Sequence, residues 1–82
     1  MNIDAVKNSL REYICNHLLR DPEFPLTDTT PLLSSHLVDS LSLAQIAVFV
    51  EESFGIYIPD PELTVAKMDT LQQMAERVMR HE

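Results

Sequence analysis

Apolar residues recur at three- and four-residue steps through Ile3, Val6, Leu10, Tyr13, Ile14 and Leu18, a spacing that gathers them on one face of a helix. Asn2 is placed to cap its start. Asp21-Pro22 is placed to end it, because the residue before a proline is driven out of the helical region. From Asp21 to Asp39 the periodicity lapses, and Pro22, Pro25 and Pro31 interrupt the chain. A connection of this length in a small domain usually serves function or is disordered. The scattered Leu26, Leu32, Leu33, Leu37 and Val38 favour an ordered loop pinned by its own apolar side chains. The helical period returns in Leu43, Ile46, Val50 and Phe54, with Ala47 and Phe49 beside them, and predicts a second helix from about Ser40 to Phe54.

Gly55, the only glycine, follows that helix where a left-handed C-terminal cap is wanted. Ile56-Tyr57-Ile58 has the composition of a strand but no second strand to pair with, so it reads as an extended link anchored by Ile56 and Ile58. Asp60-Pro61-Glu62-Leu63 supplies a cap, a proline at the first helical position and one turn of helix. Thr70-Leu71-Gln72-Gln73 fits a capping box and opens a last helix with Met74, Ala75, Val78 and Met79 on its inner side, while Arg80-His81-Glu82 is expected to fray. The pattern as a whole is all-α: a four-helix bundle of three main helices and one short one, with a long ordered loop between the first and second. Eighty-two residues hold one domain, taken as 1–82, around one modest core.

Charge narrows the partners. Thirteen acidic side chains against six Lys and Arg give a formal charge of −7, the wrong sign for a phosphate backbone or an anionic bilayer, so neither nucleic acid nor membrane is an expected partner. The longest apolar run, Ile46 to Val50, is far short of a span, and Met1-Asn2-Ile3-Asp4 lacks a basic signal-peptide start, so a cytoplasmic location is expected. Cys15 has no disulfide partner and no ligands at metal spacing, and reads as a reduced, mostly buried helix residue. His17 and His81 read as helix-surface residues without metal companions, Met68, Met74 and Met79 as core filling, and Asp21, Glu23 and Asp28 as solvated charge on the loop.

One segment carries candidate chemistry. Asp39-Ser40-Leu41 puts a serine hydroxyl at the start of the second helix, where free N–H groups and the helix dipole favour an anionic group such as a phosphodiester. Taken alone, these residues are better explained as an N-cap. Three segments in order change that balance: Asp28-Thr29-Thr30-Pro31-Leu32-Leu33, then Leu37-Val38-Asp39-Ser40-Leu41, then Phe54-Gly55-Ile56-Tyr57-Ile58-Pro59-Asp60. With these runs the chain resembles the acyl carrier and peptidyl (aminoacyl) carrier protein family, in its free-standing form, over nearly its whole length.

The resemblance implies a carrier-type bundle that is a monomer and performs no catalysis. Ser40 would receive 4′-phosphopantetheine covalently from a phosphopantetheinyl transferase that reads Asp39 and Leu41 with it. The arm's thiol would hold an acyl or aminoacyl group as a thioester, placed there by a loading (adenylating) enzyme and presented to downstream biosynthetic enzymes. The exposed side of the second helix would be the docking surface, and the helical wheel puts Leu41, Ala44, Gln45 and Val48 off the buried stripe. For Val48, packing against the domain's own loop is an equal alternative.

Two departures stand out. Ser42 and Gln45 occupy positions where fatty-acid carriers usually hold acids, which points to apolar docking and to specialised metabolism of the polyketide or nonribosomal peptide type. His36 stands where many free-standing carriers have glycine, and histidine tolerates a left-handed turn better than most residues. The alternative function is an unmodified helical interaction module that binds through the second helix. A hydrolytic triad of Ser40, Asp39 and His36 is disfavoured, because the three lie within five residues and no Gly-x-Ser-x-Gly elbow surrounds the serine.

Overall fold

In the computed structural model, which describes residues 2–82, the three main helices begin at side-chain caps, and left-handed residues follow the first helical segment (Arg20) and the second helix (Gly55). Helix α1 (Ile3–Tyr13) starts on Asn2, whose side-chain oxygen accepts the Asp4 N–H at 2.7 Å. Its inner face buries Val6 and Leu10 completely. The chain then widens into a π turn, Ile14–Leu18, in which the Leu19 N–H reaches the Ile14 carbonyl at 2.8 Å. Arg20, at φ 55, reverses the chain, and the Asp21 N–H closes on the Cys15 carbonyl at 2.8 Å. The first helix therefore stops regular α winding several residues before Pro22, at the π turn and a left-handed arginine. The wider turn rotates later residues about the axis, so Leu18 is half-buried beside α2 instead of lying under the Val6–Leu10–Ile14 stripe. Cys15 is buried with its Sγ 3.9 Å from the Phe24 carbonyl oxygen, and burial pushes its thiol pKa up.

Helix α2 (Ser40–Phe54) buries Leu43, Ile46 and Val50 and ends at Gly55 with φ 69. Each fully buried aliphatic side chain of this kind is worth about 2 kcal/mol in surface removed from water. Phe49 stacks on Tyr13 of α1 with ring centroids 4.3 Å apart, and Phe54 meets Phe49 edge-on at 6.2 Å. The 56–58 link is extended and unpaired, with Ile56 and Ile58 both buried. Asp60–Glu62 forms a single 3-10 turn, and the short helix lies just beyond it as α3 (Val65–Met68). Asp60 is the first residue of that turn and its side chain caps nothing; Pro61 suits the tight turn, but the short helix α3 is built from Thr64 onward, with the Met68 N–H on the Thr64 carbonyl at 2.8 Å.

Helix α4 (Leu71–Arg80) opens on a complete capping box between Thr70 and Gln73 and buries Leu71, Met74, Ala75 and Val78. Met79 is half-buried at the edge of the core. The C-terminal segment does not simply fray. The His81 Nε2 lies 2.7 Å from Glu62 Oε2, and Arg77 reaches the other oxygen of that carboxylate at 3.3 Å. Partial burial works in the opposite direction, yet these two contacts hold the Glu62 carboxyl below its usual range. The result is an all-α bundle of three main helices and one short one, with no strand among the described residues.

The long loop between α1 and α2 is anchored at both ends of its course. Leu26, Leu32, Leu33 and Val38 are buried, whereas Leu37 is 38% exposed and pins nothing. Asp28 is not free solvated charge. Its carboxylate accepts from Lys7 Nζ and Arg11 Nη2, each at 3.0 Å, and its carbonyl accepts the Gln72 N–H at 3.0 Å. Asp21 and Glu23 are exposed as expected. The strongest anchor is Asp69, between α3 and α4. Its Oδ1 accepts the N–H groups of Leu33 (2.8 Å) and Ser34 (2.9 Å), its Oδ2 accepts the Ser34 hydroxyl (2.7 Å), and its carbonyl accepts the Leu32 N–H (2.8 Å). The Ser34 backbone donor does most to hold the Asp69 carboxyl below the ordinary carboxylate range, against partial desolvation and with help from the Ser34 hydroxyl and Leu33.

Replacing Asp69 by alanine should lower stability by about 2 kcal/mol, because three charge-assisted hydrogen bonds to the loop are lost together. Since the folded carboxyl titrates below its unfolded value of about 3.9, the contribution is complete above that pH and fades as pH falls toward the folded value. Urea melts of wild type and Asp69→Ala should differ by a constant amount at neutral pH and converge below about pH 4.

Candidate functional site

The loop delivers the chain to the start of α2 through a backbone turn at His36, which sits at φ 64 with its N–H on the Leu33 carbonyl at 3.1 Å. Histidine therefore takes up the left-handed conformation that glycine adopts at no steric cost. Val38 then closes the turn, its N–H donating to the Leu32 carbonyl at 3.0 Å and its side chain buried. Leu32 is itself held by Asp69, so the position of residue 39 follows from the loop anchor.

Asp39 is the N-cap. Its Oδ1 accepts the Ser42 N–H at 3.0 Å and the Ser42 hydroxyl at 3.1 Å. Ser40 is the first helical residue and is exposed, and its hydroxyl carries no hydrogen bond among the described residues. The division of labour between neighbours is thus resolved: the aspartate caps, and the serine is left outside the fold's hydrogen-bonding scheme. The carboxylate of Asp39 faces Ser42, and no hydrogen bond among the described residues links His36 to either Asp39 or Ser40. The three do not assemble into a charge-relay arrangement in this structure.

Beyond Ser40, the outer side of α2 is open. Leu41 is 76% exposed and Val48 is 53% exposed, with Ala44 and Gln45 exposed between them. Val48 is therefore not packed under the loop. Ala44, Gln45 and Val48 form one wall of a groove of about 440 Å³ whose other wall is Tyr13, His17 and Leu18. Leu41 lies outside this lining, nearer the start of the helix. Glu51 and Glu52 are exposed toward the far end of α2. The wall from α1 was not legible in the sequence, since it depends on the π turn bringing His17 and Leu18 alongside α2. The anchor at Asp69 was also missed. Its only sequence signal is an acid directly before the Thr70 cap, a position with many structural uses.

The cap predicts a separation of roles that mutation can read. Asp39→Ala should cost about 1 kcal/mol and Asp39→Asn only a few tenths, because asparagine keeps the accepting oxygen. Amide exchange in the first turn of α2 should rise in the alanine variant alone. His36→Gly should raise stability by about 0.5 kcal/mol, the relief of left-handed strain exceeding the added entropy of the unfolded chain. Thermal melts of the variant at neutral pH check the sign. Among known proteins, no family model matches the chain and no curated protein matches it.

Proposed function

We propose that this chain is a phosphopantetheine-dependent carrier protein that holds an acyl or aminoacyl group as a thioester and presents it to biosynthetic enzymes of specialised metabolism. The observation that carries the reading is Ser40: an exposed hydroxyl, free of hydrogen bonds among the described residues, at the first position of a helix whose cap is supplied by its neighbour. Such a hydroxyl is accessible to a transferase and can be modified without breaking any bond that the fold uses. The N–H groups of Ser40 and Leu41 have no acceptor within the described fold, which suits a phosphodiester at that helix end.

Modification is a phosphoryl transfer. Ser40 Oγ attacks the phosphorus of coenzyme A that bears the pantetheine arm, the Oγ–P bond forms, and the pyrophosphate P–O bond breaks with adenosine 3′,5′-bisphosphate as the leaving group. The hydroxyl proton passes to a base of the transferase. The chain's own share of this chemistry is positional: Asp39 fixes the helix start, Val38 and Leu32 fix the approach of the loop, and Asp69 fixes Leu32. Leu41 and the side of α2 that carries Ala44, Gln45 and Val48 provide an uncharged surface for the transferase, the loading enzyme and later enzymes. The cofactor, when bound, supplies the thiol that carries the cargo.

A second reading rests on the same exposed apolar side chains. Leu41 and Val48 would then engage a partner protein directly, without modification of Ser40. Intact mass separates the two. After incubation with coenzyme A and a broad-specificity phosphopantetheinyl transferase, wild type should gain one phosphopantetheinyl group and Ser40→Ala none. An unchanged mass in folded wild-type protein would favour the unmodified module.

A further inference from the structure

We infer that the groove between α2 and the π turn of α1 seats a neutral acyl group carried on Ser40, an inference that rests on the carrier reading. The groove's place on α2 comes first. Steps of four residues keep Ala44 and Val48 on the Ser40 side of the helix, about 6 Å and about 12 Å along its axis. An arm that starts at Ser40 and lies along α2 therefore runs past Ala44, and its length is more than enough to bring its end to the groove at Val48. There the opposite wall consists of Leu18, His17 and Tyr13.

The wall is preformed. The Tyr13 ring is stacked on Phe49 at 4.3 Å, and the His17 ring rests 5.2 Å from Tyr13. These contacts hold two of the three side chains before any cargo arrives, which lowers the ordering cost of binding. The groove, of about 440 Å³, is open to solvent along one side, with His17, Ala44, Gln45 and Val48 all exposed, so it would hold a short acyl group against its floor without enclosing it.

Charge selects the occupant. The chain carries thirteen acids and six Lys or Arg, yet none lines this groove. The neighbouring hollow on the other side of Tyr13 and His17 includes Glu12 with Ser9 and Asn16. A carboxylate would meet no fixed cation along this lining and would give up hydration for any contact it made with Leu18, Ala44 or Val48, so it gains nothing by leaving water. An aliphatic or aromatic acyl group would bury surface against Leu18, Ala44 and Val48. Gln45, His17 and the Tyr13 hydroxyl are the polar groups available to a thioester carbonyl. The regular α winding that the sequence predicts up to Pro22 is broken at this wall by the π turn, a distortion frequent at functional sites.

The test loads the full chain from hexanoyl-coenzyme A and, separately, from succinyl-coenzyme A with a broad-specificity transferase, isolates each acyl form by intact mass, and records isotope-filtered NOEs from the acyl protons. Hexanoyl protons should show NOEs to the Leu18 and Val48 methyls and the Tyr13 ring. Succinyl protons should show none. The hexanoyl form of His17→Glu, which places a carboxylate in the groove at an exposed position, should lose them while retaining the helical circular dichroism of wild type. NOEs to the buried Met68 or Met74 instead, equal NOEs from both cargoes, or none from hexanoyl would overturn the groove assignment while leaving Ser40 as a modified residue. Failure of wild type to gain any mass from either donor would overturn the carrier reading itself, and this inference with it.

Discussion

The carboxylate of Asp69 is the constraint on which the candidate site depends. Twenty-one residues separate the end of the first helical segment at Leu18 from the start of α2 at Ser40, and such a chain has many ways to run unless something holds it. Asp69 holds it at the backbone of Leu32, Leu33 and Ser34, using both side-chain oxygens and its own carbonyl. Because it sits between α3 and α4, with its N–H and that of Thr70 both on Gln73 Oε1, the anchor is itself part of the α4 capping arrangement. The start of α4 thus fixes the middle of the loop, and the loop fixes the start of α2. Asp28 adds a second tie through Lys7, Arg11 and Gln72, so α1 and α4 share the load.

This arrangement explains how an exposed serine can have a defined position without any bond of its own. Val38 is buried and hydrogen-bonded, Asp39 is committed to Ser42, and the next residue projects from a helix whose inner face is locked by Leu43, Ile46 and Val50. Rigidity is supplied from behind and accessibility is kept in front. On the proposed carrier reading, that combination suits a site that several enzymes would read in turn, since each would meet the same geometry. The uncharged outer side of α2 extends the same logic, because it offers apolar contact with no fixed ionic partner until Glu51 and Glu52. No helix among the described residues is long and apolar enough to cross a membrane.

The end of the chain shows a related economy. Glu62, in the 3-10 turn, receives both Arg77 and His81, which ties the last turn of α4 to the segment that follows the 56–58 link. The local sequence alone suggests a loose end there. The pairing becomes visible only when residues nineteen apart in the chain are brought within hydrogen-bond distance.

Period, caps and punctuation in the sequence determined the three main helices, the Asn2 and Thr70 caps, a cap within Asp39-Ser40, the left-handed Gly55 and the anchoring of Ile56 and Ile58. These are local properties, set by hydrogen-bonding and conformational preferences that act within a few residues. The candidate serine and the outward side of α2 were legible for the same reason, since a helix fixes which positions share a face. Tertiary structure alone decided the π turn that displaces Leu18, the shift of the short helix to Val65–Met68, the exposure of Leu37, the pairing of Asp28 and the clamp at Asp69. Each of these depends on which distant backbone donors and side chains arrive at one place, and a one-dimensional pattern carries no record of that until the core has closed.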